Sequence, residues 1–308
     1  MKSVIVLGSA NTDLNVRVPR LPGPGETLQG SGFQTRFGGK GANQALAALY
    51  CGAKTLFLAR IGKDHYGQAL ARHLQQAGLP AEGLMRDQSQ PAGLAFILVD
   101  NQGRNQIVVV PGSNHNLSPA DVESCAQWFT AGDILLVQLE IPLQTVAAGL
   151  KLAKSRGLIT ILDPAPFQPL PAEVLGHADI VTPNQQEAAA LAGTDPDDLQ
   201  ATEKALQALL SQDQTLILTL GGDGALMLGK SGREHIPASQ IQARDTVAAG
   251  DAFNGALAAA LAKDSSLAQA MHLAGAAGAL CSSRPGAQAA LPGQTEVEEL
   301  AGMSFAQG

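Results

Sequence analysis

The sequence predicts an α/β protein, with a mostly parallel central sheet flanked by helices and a small β-sheet set apart from it. Three observations carry this. Residues 3–9, SVIVLGS, form a continuous apolar run closed by Gly8 and Ser9, the pattern of a strand buried on both faces. From Ser118 onward strand-like and helix-like segments alternate, which implies parallel strands joined by helical crossovers. Four strand-like pieces, 14–19, 28–37, 93–99 and 105–110, pair off without intervening helices, so they belong to a separate sheet.

The elements follow in order. After the first strand, the turn-rich PRLPGPGET separates strands 14–19 and 28–37. A helix over 40–50 opens directly after Gly38-Gly39, strand 54–61 follows, and 65–77 reads as an amphipathic helix. Strands 93–99 and 105–110 are joined by DNQG, a good hairpin turn. Then come helix 118–128, strand 134–138, helix 142–155 and strand 159–162. A Pro-rich loop at 165–171 leads to a short strand at 179–181 and a helix at 184–192, which Thr182 or Asn184 can cap. Helix 198–210 precedes strand 215–220, with further strands near 225–228 and 234–237. Ala-rich helices at about 249–262 and 265–281 and a short helix near 295–301 complete the chain.

Bulk composition narrows the function. The 308 residues allow one large domain with an accessory piece, and 45% hydrophobic residues supply a substantial core. A net charge of −7 without any Lys/Arg run argues against a nucleic-acid partner, and an anionic ligand would need local positive potential. Cys51, Cys125 and Cys281 lie far apart in apolar helical patterns and read as buried thiols. The six histidines show no zinc spacing, and GxSxG is missing. The N-terminal apolar run is too short for a signal peptide or a membrane span, so no membrane partner is expected and cytoplasmic residence is the default.

The strongest local feature is DTVAAGDAFNG, from Asp245 to Gly255. Ala248, Ala249 and Gly250 leave backbone N–H groups open at a helix start, a hole for a phosphate-sized anion. Asp251 in that turn can accept a proton from a substrate hydroxyl; its alternative is a simple N-cap over close-packed small residues. Gly38-Gly39-Lys40 lets backbone approach a ligand and sets Asn43 one turn into the next helix, though a plain glycine turn reads equally well. Walker A spacing is missing, and the first strand leads into GSANTD rather than GxGxxG. Asn11 and Asp13 lie past the carboxyl end of that strand, where open α/β sheets bind ligands, and Glu140 ends another strand in LLVQLEIP. These polar groups suit a polyhydroxylated ligand; a capped turn and a surface Glu are the alternatives. Asn184 and Glu187 share a helix face and could arrange water around Mg²⁺ beside phosphates. Thr219, Gly221 and Gly224 form a glycine-rich turn after a buried strand, suited to nucleotide phosphates or ribose. Asp163-Pro164-Ala165-Pro166 reads as a rigid turn.

GGKGANQA (38–45) and DTVAAGDAFNGA (245–256) resemble the two signatures of the PfkB-type carbohydrate kinase family. NTDLNVRVPRLPGPGET (11–27), QLEIP (138–142), DPAP (163–166), TPNQQEA (182–188), TLGGDGA (219–225) and RPGAQAALP (284–292) match in order, so the resemblance spans nearly the entire chain and is greatest to ribose-phosphorylating members. It implies a three-layer α/β fold over 1–308 as a single kinase domain, whose small sheet, segments about 14–37 and 93–110, is a lid. The implied activity is ATP-dependent phosphorylation of the primary 5-hydroxyl of D-ribose. Asp251 resembles the base, and Ala248, Ala249 and Gly250 the anion hole. Asn11, Asp13, Gly39, Lys40, Asn43 and Glu140 resemble the sugar contacts, while Asn184, Thr219, Gly221, Gly224, Gly250 and Gly275 resemble the nucleotide contacts. Glu187 resembles a residue that organises Mg²⁺ through water. Asp245, Val247, Ser282, Pro285 and Ala287 resemble a K⁺ site built largely from backbone carbonyls.

Three positions depart from the family pattern: Val247 for a common Thr, Gly275 for a His or Asn near the adenine, and Asp163 for a frequent Asn. The resemblance also implies a homodimer formed through the lid. The same chemistry on 2-deoxyribose, fructose or a nucleoside is the alternative, although the 11–45 region has little aromatic character for stacking a base. A non-catalytic sugar sensor would be marked by loss of Asp251 or of 248–250, and a dinucleotide oxidoreductase by the glycine fingerprint.

Overall fold

The computed structural model describes residues 2–211, 213–230 and 232–306. In chain order they form β1 (Ser3–Leu7), β2 (Asn11–Arg17), β3 (Gly32–Gly38), α1 (Lys40–Tyr50), β4 (Lys54–Gly62), α2 (His65–Gln76), β5 (Leu84–Asp87), β6 (Gly93–Val99), β7 (Asn105–Val110), α3 (Pro119–Ser124), β8 (Ile134–Val137), α4 (Leu143–Ser155), β9 (Ile159–Leu162), α5 (Ala172–Leu175), β10 (Ile180–Val181), α6 (Gln185–Ala192), α7 (Leu199–Leu209), β11 (Thr215–Thr219), β12 (Ala225–Gly229), β13 (Gly232–Ile236), α8 (Ala249–Ala262), α9 (Leu267–Ser282) and α10 (Gln294–Ala301).

Nine strands make the main sheet in the order β13-β12-β11-β10-β9-β8-β1-β4-β5. All its pairs are parallel except β11–β12 and β12–β13. The period-2 alternation of strand side chains divides each apolar run between two cores. Val4 and Val6 of β1 face one core with residues of α1, α2, α8, α9 and α10. Ile5 and Leu7 face the other, with residues of α3, α4, α5, α6 and α7. From β1 the chain runs outward to β4 and β5, then returns to β8 on the other side of β1. The carboxyl ends of β1 and β8 therefore flank a topological switch point, where such sheets open a crevice for ligands.

The small sheet has the order β3-β2-β6-β7, with β2–β6 parallel and the outer pairs antiparallel. Its register places Asp13 opposite Arg36 and Ala95, and Leu14 opposite Thr35 and Phe96. Alternate residues thus separate into a face bearing Asn11 and Asp13 and an opposite face bearing Phe33, Phe96 and Val108. That second face leaves Phe33 and Val108 each 63% exposed.

Several elements differ from the sequence expectation. β2 begins at Asn11 rather than 14, because its pairing with Gly38 and Gly93 starts there. β3 begins only at Gly32, where its pairing with Arg17 starts. The helix expected over 118–128 ends at Ser124 and continues as a 3₁₀ turn over Ala126–Trp128. Val122, Cys125 and Phe129 are all buried at the helical spacing of three and four that the sequence shows, although the winding tightens after Ser124. β5 and α5 carry no signal, since Leu84–Asp87 has no continuous apolar run and Ala172–Leu175 is a single turn after a Pro-rich loop.

Candidate active site

The loops that carry the chemistry are fixed by close backbone packing. Gly39 has φ 88, and a side chain there would come within 2.8 Å of the Ala10 Cα and the Asn11 N. A Cβ on Gly41 would lie 2.6 Å from the Gly8 carbonyl carbon. The start of α1 therefore presses on the chain leaving β1, and no larger residue fits. Glu140, past the end of β8, ties the same place together. Its Oε2 accepts from Ser9 Oγ at 2.5 Å and from the Lys40 N–H at 3.0 Å. Asn114 donates to the Asn11 Oδ1 at 2.7 Å and accepts from the Ala10 N–H at 2.9 Å.

α8 begins opposite. Ala248 precedes it in the left-handed region, φ 62, a conformation that costs a non-glycine residue energy. The Ala249 N–H turns back to the Thr246 carbonyl at 3.2 Å. Among the described residues the N–H groups of Ala248, Gly250 and Asp251 have no protein acceptor. Helix starts leave such donors free for an anion.

Asp251 is buried in the first turn of α8. Both its oxygens are held by α1: Asn43 Nδ2 donates to Oδ2 at 2.8 Å, and Gln44 Nε2 donates to Oδ1 at 3.1 Å. The same Gln44 nitrogen donates to Asp163 Oδ2 at 2.7 Å, and Gln44 Oε1 accepts from Gln138 Nε2 at 2.5 Å. A cleft of about 180 Å³ opens beside Asp251, lined among others by Lys40, Asp163, Asn184, Glu187, Thr219 and Asn254. The buried Oδ1 atoms of Asn43 and Asn254 have no partner within the described protein, so each can still accept a hydrogen bond.

The electrostatics suit a site that must take up a polyanion beside acids. Burial alone would lower Lys40, but Asp251, Asp163, Glu140 and Glu187 around it hold its ammonium above the ordinary range. Burial pushes Asp163 up to about 8, with Lys40 opposing and Asp251 and Glu187 adding to the rise. Burial also raises Glu187. Asp13 is pushed up to about 6 by burial and by the charge of Glu140, against the pull of Arg36.

The remaining predicted residues group around this centre. Asn184 is the N-cap of α6: its Oδ1 accepts from the Glu187 N–H at 2.9 Å, and Glu187 Oε2 accepts from the Asn184 N–H at 2.9 Å. Glu187 Oε1 stays free of protein partners among the described residues. Thr219 pairs with Asn184 across the sheet end. Gly221, at φ 58, faces open space. A side chain on Gly224 would run into Ala238 N at 2.6 Å, so that glycine is required by packing. Gly275 lies on α9 with nothing within 4 Å of where a Cβ would stand. Asp245 joins two loops, accepting from the Gly286 N–H at 2.9 Å and the Val247 N–H at 3.1 Å. The Ser282 carbonyl already accepts from the Arg244 and Asp245 N–H groups, and the Ala287 carbonyl from the Ala290 N–H. Val247 is exposed, and Pro285 sits in the turn before Gly286. Asp245, Val247, Ser282, Pro285, Ala287 and Gly275 do not line the cleft at Asp251.

The sequence reading missed Gln44, Gln138, Asn114 and Asn254, and took Asp163 only as part of a turn. Gln44 follows Asn43 in the glycine-rich signature and Asn254 lies one turn after Asp251, which are the signals that could have found them.

A model of the pfkB family of carbohydrate kinases matches residues 1–294. A ribokinase of Haemophilus influenzae is 38% identical over 97% of this chain and 98% of its own length. A deoxyribokinase of Salmonella typhi is 32% identical over 83% of this chain and 84% of its own. The structure of Arabidopsis thaliana ribokinase complexed with ribose and ATP superposes with a TM-score of 0.90 at 30% identity, covering 99% of this chain and all of that one. A glycine-pinned helix start facing a second one that opens at left-handed Ala248, in a sequence so matched from end to end, identifies the chain as a member of the pfkB family of carbohydrate kinases.

Proposed function

We propose that this protein transfers the γ-phosphoryl group of ATP to the 5-hydroxyl of D-ribose, giving D-ribose 5-phosphate and ADP. The observation that carries this reading is the Asp251 carboxylate, held by Asn43 and Gln44 at the start of a helix whose Ala248 and Gly250 N–H groups lack acceptors among the described residues. The hydroxyl proton passes to Asp251 as the oxygen attacks the γ-phosphorus, the bond to the ADP oxygen breaks, and the free N–H groups with Lys40 receive the charge that develops on the phosphoryl oxygens. Asn11, Asp13, Asn43 and Glu140 bind the sugar hydroxyls, with the Asn43 Oδ1 as one free acceptor. Asn184, Thr219, Gly221, Gly224 and Gly275 take the nucleotide.

Mg²⁺ fits as an ion carried by the phosphates. Among the described residues no three His, Cys, Asp or Glu groups gather to hold a metal, and the free Glu187 Oε1 can accept from metal-bound water. Bound there, the ion would neutralise phosphate charge. K⁺ fits less evenly. Asp245 holds 245–247 against the 282–287 loop and leaves the Asp245 and Pro285 carbonyls without donors among the described residues, whereas the Ser282 carbonyl is used twice, the Ala287 carbonyl by Ala290 and the Val247 carbonyl by Cys281 Sγ at 3.7 Å. The whole chain acts as one kinase domain in the cytoplasm. The small sheet is its lid, and the exposed Phe33–Phe96–Val108 face pairs two copies of the chain.

A second reading, 2-deoxyribose as the sugar, is favoured by the likeness to the deoxyribokinase. Turnover of D-ribose, 2-deoxyribose, D-fructose and adenosine with ATP-Mg²⁺, with and without K⁺, separates these readings; no turnover of any free sugar would sink the proposal. Asp251→Asn should lower kcat by roughly 10²–10⁴-fold while sugar affinity stays near wild type. A rate close to wild type would remove Asp251 as the base.

A further inference from the structure

Beside Asp251, lining the same cleft, lies a second acid that touches it only through an amide. We propose that Asp163, acting through Gln44, is a positioning residue that fixes the orientation of the Asp251 carboxylate for phosphoryl transfer.

The two hydrogens of Gln44 Nε2 are both used, one to Asp163 Oδ2 at 2.7 Å and one to Asp251 Oδ1 at 3.1 Å. Gln44 Oε1 accepts from Gln138 Nε2 at 2.5 Å, which sets the amide's orientation: turned over, it would aim its oxygen at the Asp251 carboxylate and its nitrogen at the Gln138 nitrogen. Asp163 is itself anchored. Its N–H donates to the Val137 carbonyl at 2.9 Å, and two residues on, the Ala165 carbonyl accepts from the Leu139 N–H at 2.9 Å. A rigid strand end thus holds Asp163, Asp163 holds Gln44, and Gln44 with Asn43 clamps both oxygens of Asp251. The charged groups facing Asp163 are Lys40 from α1, Asp251 from α8 and Glu187 from α6. With Asp163 pushed up to about 8, chiefly by burial, it keeps its proton at neutral pH, and one amide need not bridge two anions. Preorganisation of this kind matters because small misplacements of a reacting group cost large factors in rate.

The inference rests on the kinase reading, which the wild-type substrate panel tests separately. Asp163→Ala removes the acceptor of one Gln44 hydrogen, whereas Asp163→Asn keeps an oxygen there. Asp163→Ala should lower kcat about ten-fold with both KM values within about two-fold, and Asp163→Asn should restore kcat to within about two-fold of wild type. Gln44→Leu should reproduce the loss, and the double variant should be no worse than Gln44→Leu alone, since both remove one constraint. An unchanged kcat in Asp163→Ala, an Asp163→Asn variant as damaged as the alanine, or fully additive losses would each overturn the proposal. If Asp163→Ala does not fold, Gln44→Leu carries the kinetic test and an unchanged kcat there overturns it. A readout free of turnover is the pair of Gln44 side-chain amide proton resonances in the ligand-free protein. One should move in Asp163→Ala and the other in Asp251→Asn; neither moving would refute the geometry.

Discussion

Gly255→Ala tests how the base is held. Gly255 lies on α8 one turn after Asp251, where α8 crosses α1. A Cβ on it would meet Ala47 Cβ and lie 2.7 Å from the Gln44 carbonyl oxygen and 2.8 Å from the Ala48 nitrogen. Two of those contacts are backbone and the third is an alanine Cβ fixed to it, so none can rotate away as a flexible side chain could. To bring the tightest of them, that to Ala47 Cβ, out to about 3.4 Å, α8 must retreat from α1 by roughly 1 Å. Over-packing of this size costs about 1–3 kcal/mol. Asp251 receives both its hydrogen bonds from α1, at 2.8 and 3.1 Å, so the same retreat carries them towards or past the limit of useful geometry near 3.2 Å. The rate should therefore fall by roughly 10–100-fold in protein that is still folded. Urea denaturation gives the stability term, and kcat at saturating sugar and ATP, well below the denaturation midpoint, gives the positioning term. A variant with wild-type stability and wild-type kcat would refute the close α1–α8 crossing. A variant that lost stability but kept its rate would refute the claim that this crossing sets the base.

Two further outcomes are expected. Asp13, pushed up to about 6 by burial and Glu140, takes a proton as pH falls through that value and gives up an acceptor site. KM for the sugar should rise below about pH 6, Asp13→Asn should flatten that rise, and Arg36→Ala should move it to higher pH; KM profiles from roughly pH 5 to 8 decide it. Because the folded chain holds this proton more tightly than the unfolded chain, the Asp13 contribution to stability is present below the ordinary value of 3.8 and is lost as pH rises through about 6. Val108→Asp places a charge on the exposed face of the small sheet and should convert a dimer to single chains in sedimentation equilibrium, and an unchanged mass would move the interface elsewhere.

How much of this was legible in the sequence differs by residue. The helix starts at Lys40 and Ala249 were readable because glycines and alanines cluster where a backbone must meet an anion or another backbone. Asn11, Asp13 and Glu140 were readable from their place after strand ends. Gln44 was not, for a physical reason. A helix normally betrays its inward face by period 3.6, but Gly41 through Ala48 of α1 are all buried, as are Asp251 through Ala260 of α8. Where every side of a helix is covered, no pattern separates a polar residue aimed into a site from one aimed at a neighbour. The partners of Gln44 are also distant in sequence, Gln138 by 94 residues and Asp251 by 207, so no local motif contains them.

That loss of periodicity and the quality of the site have a common origin. α1 and α8 can be covered all round only because they approach each other closely, and they approach closely because Gly255 sets its backbone against Gln44, Ala47 and Ala48 with almost no side chain between them. Asn43, Gln44 and Asp251 then stand within hydrogen-bond reach from two backbones that have almost no slack. Longer apolar residues along the crossing would bury more area per residue and hold the helices together as firmly, but they would part the backbones and leave the amides short of the carboxylate. The Gly- and Ala-rich composition of the chain is, on this argument, a requirement of where Asp251 must be held as much as of how the core is filled.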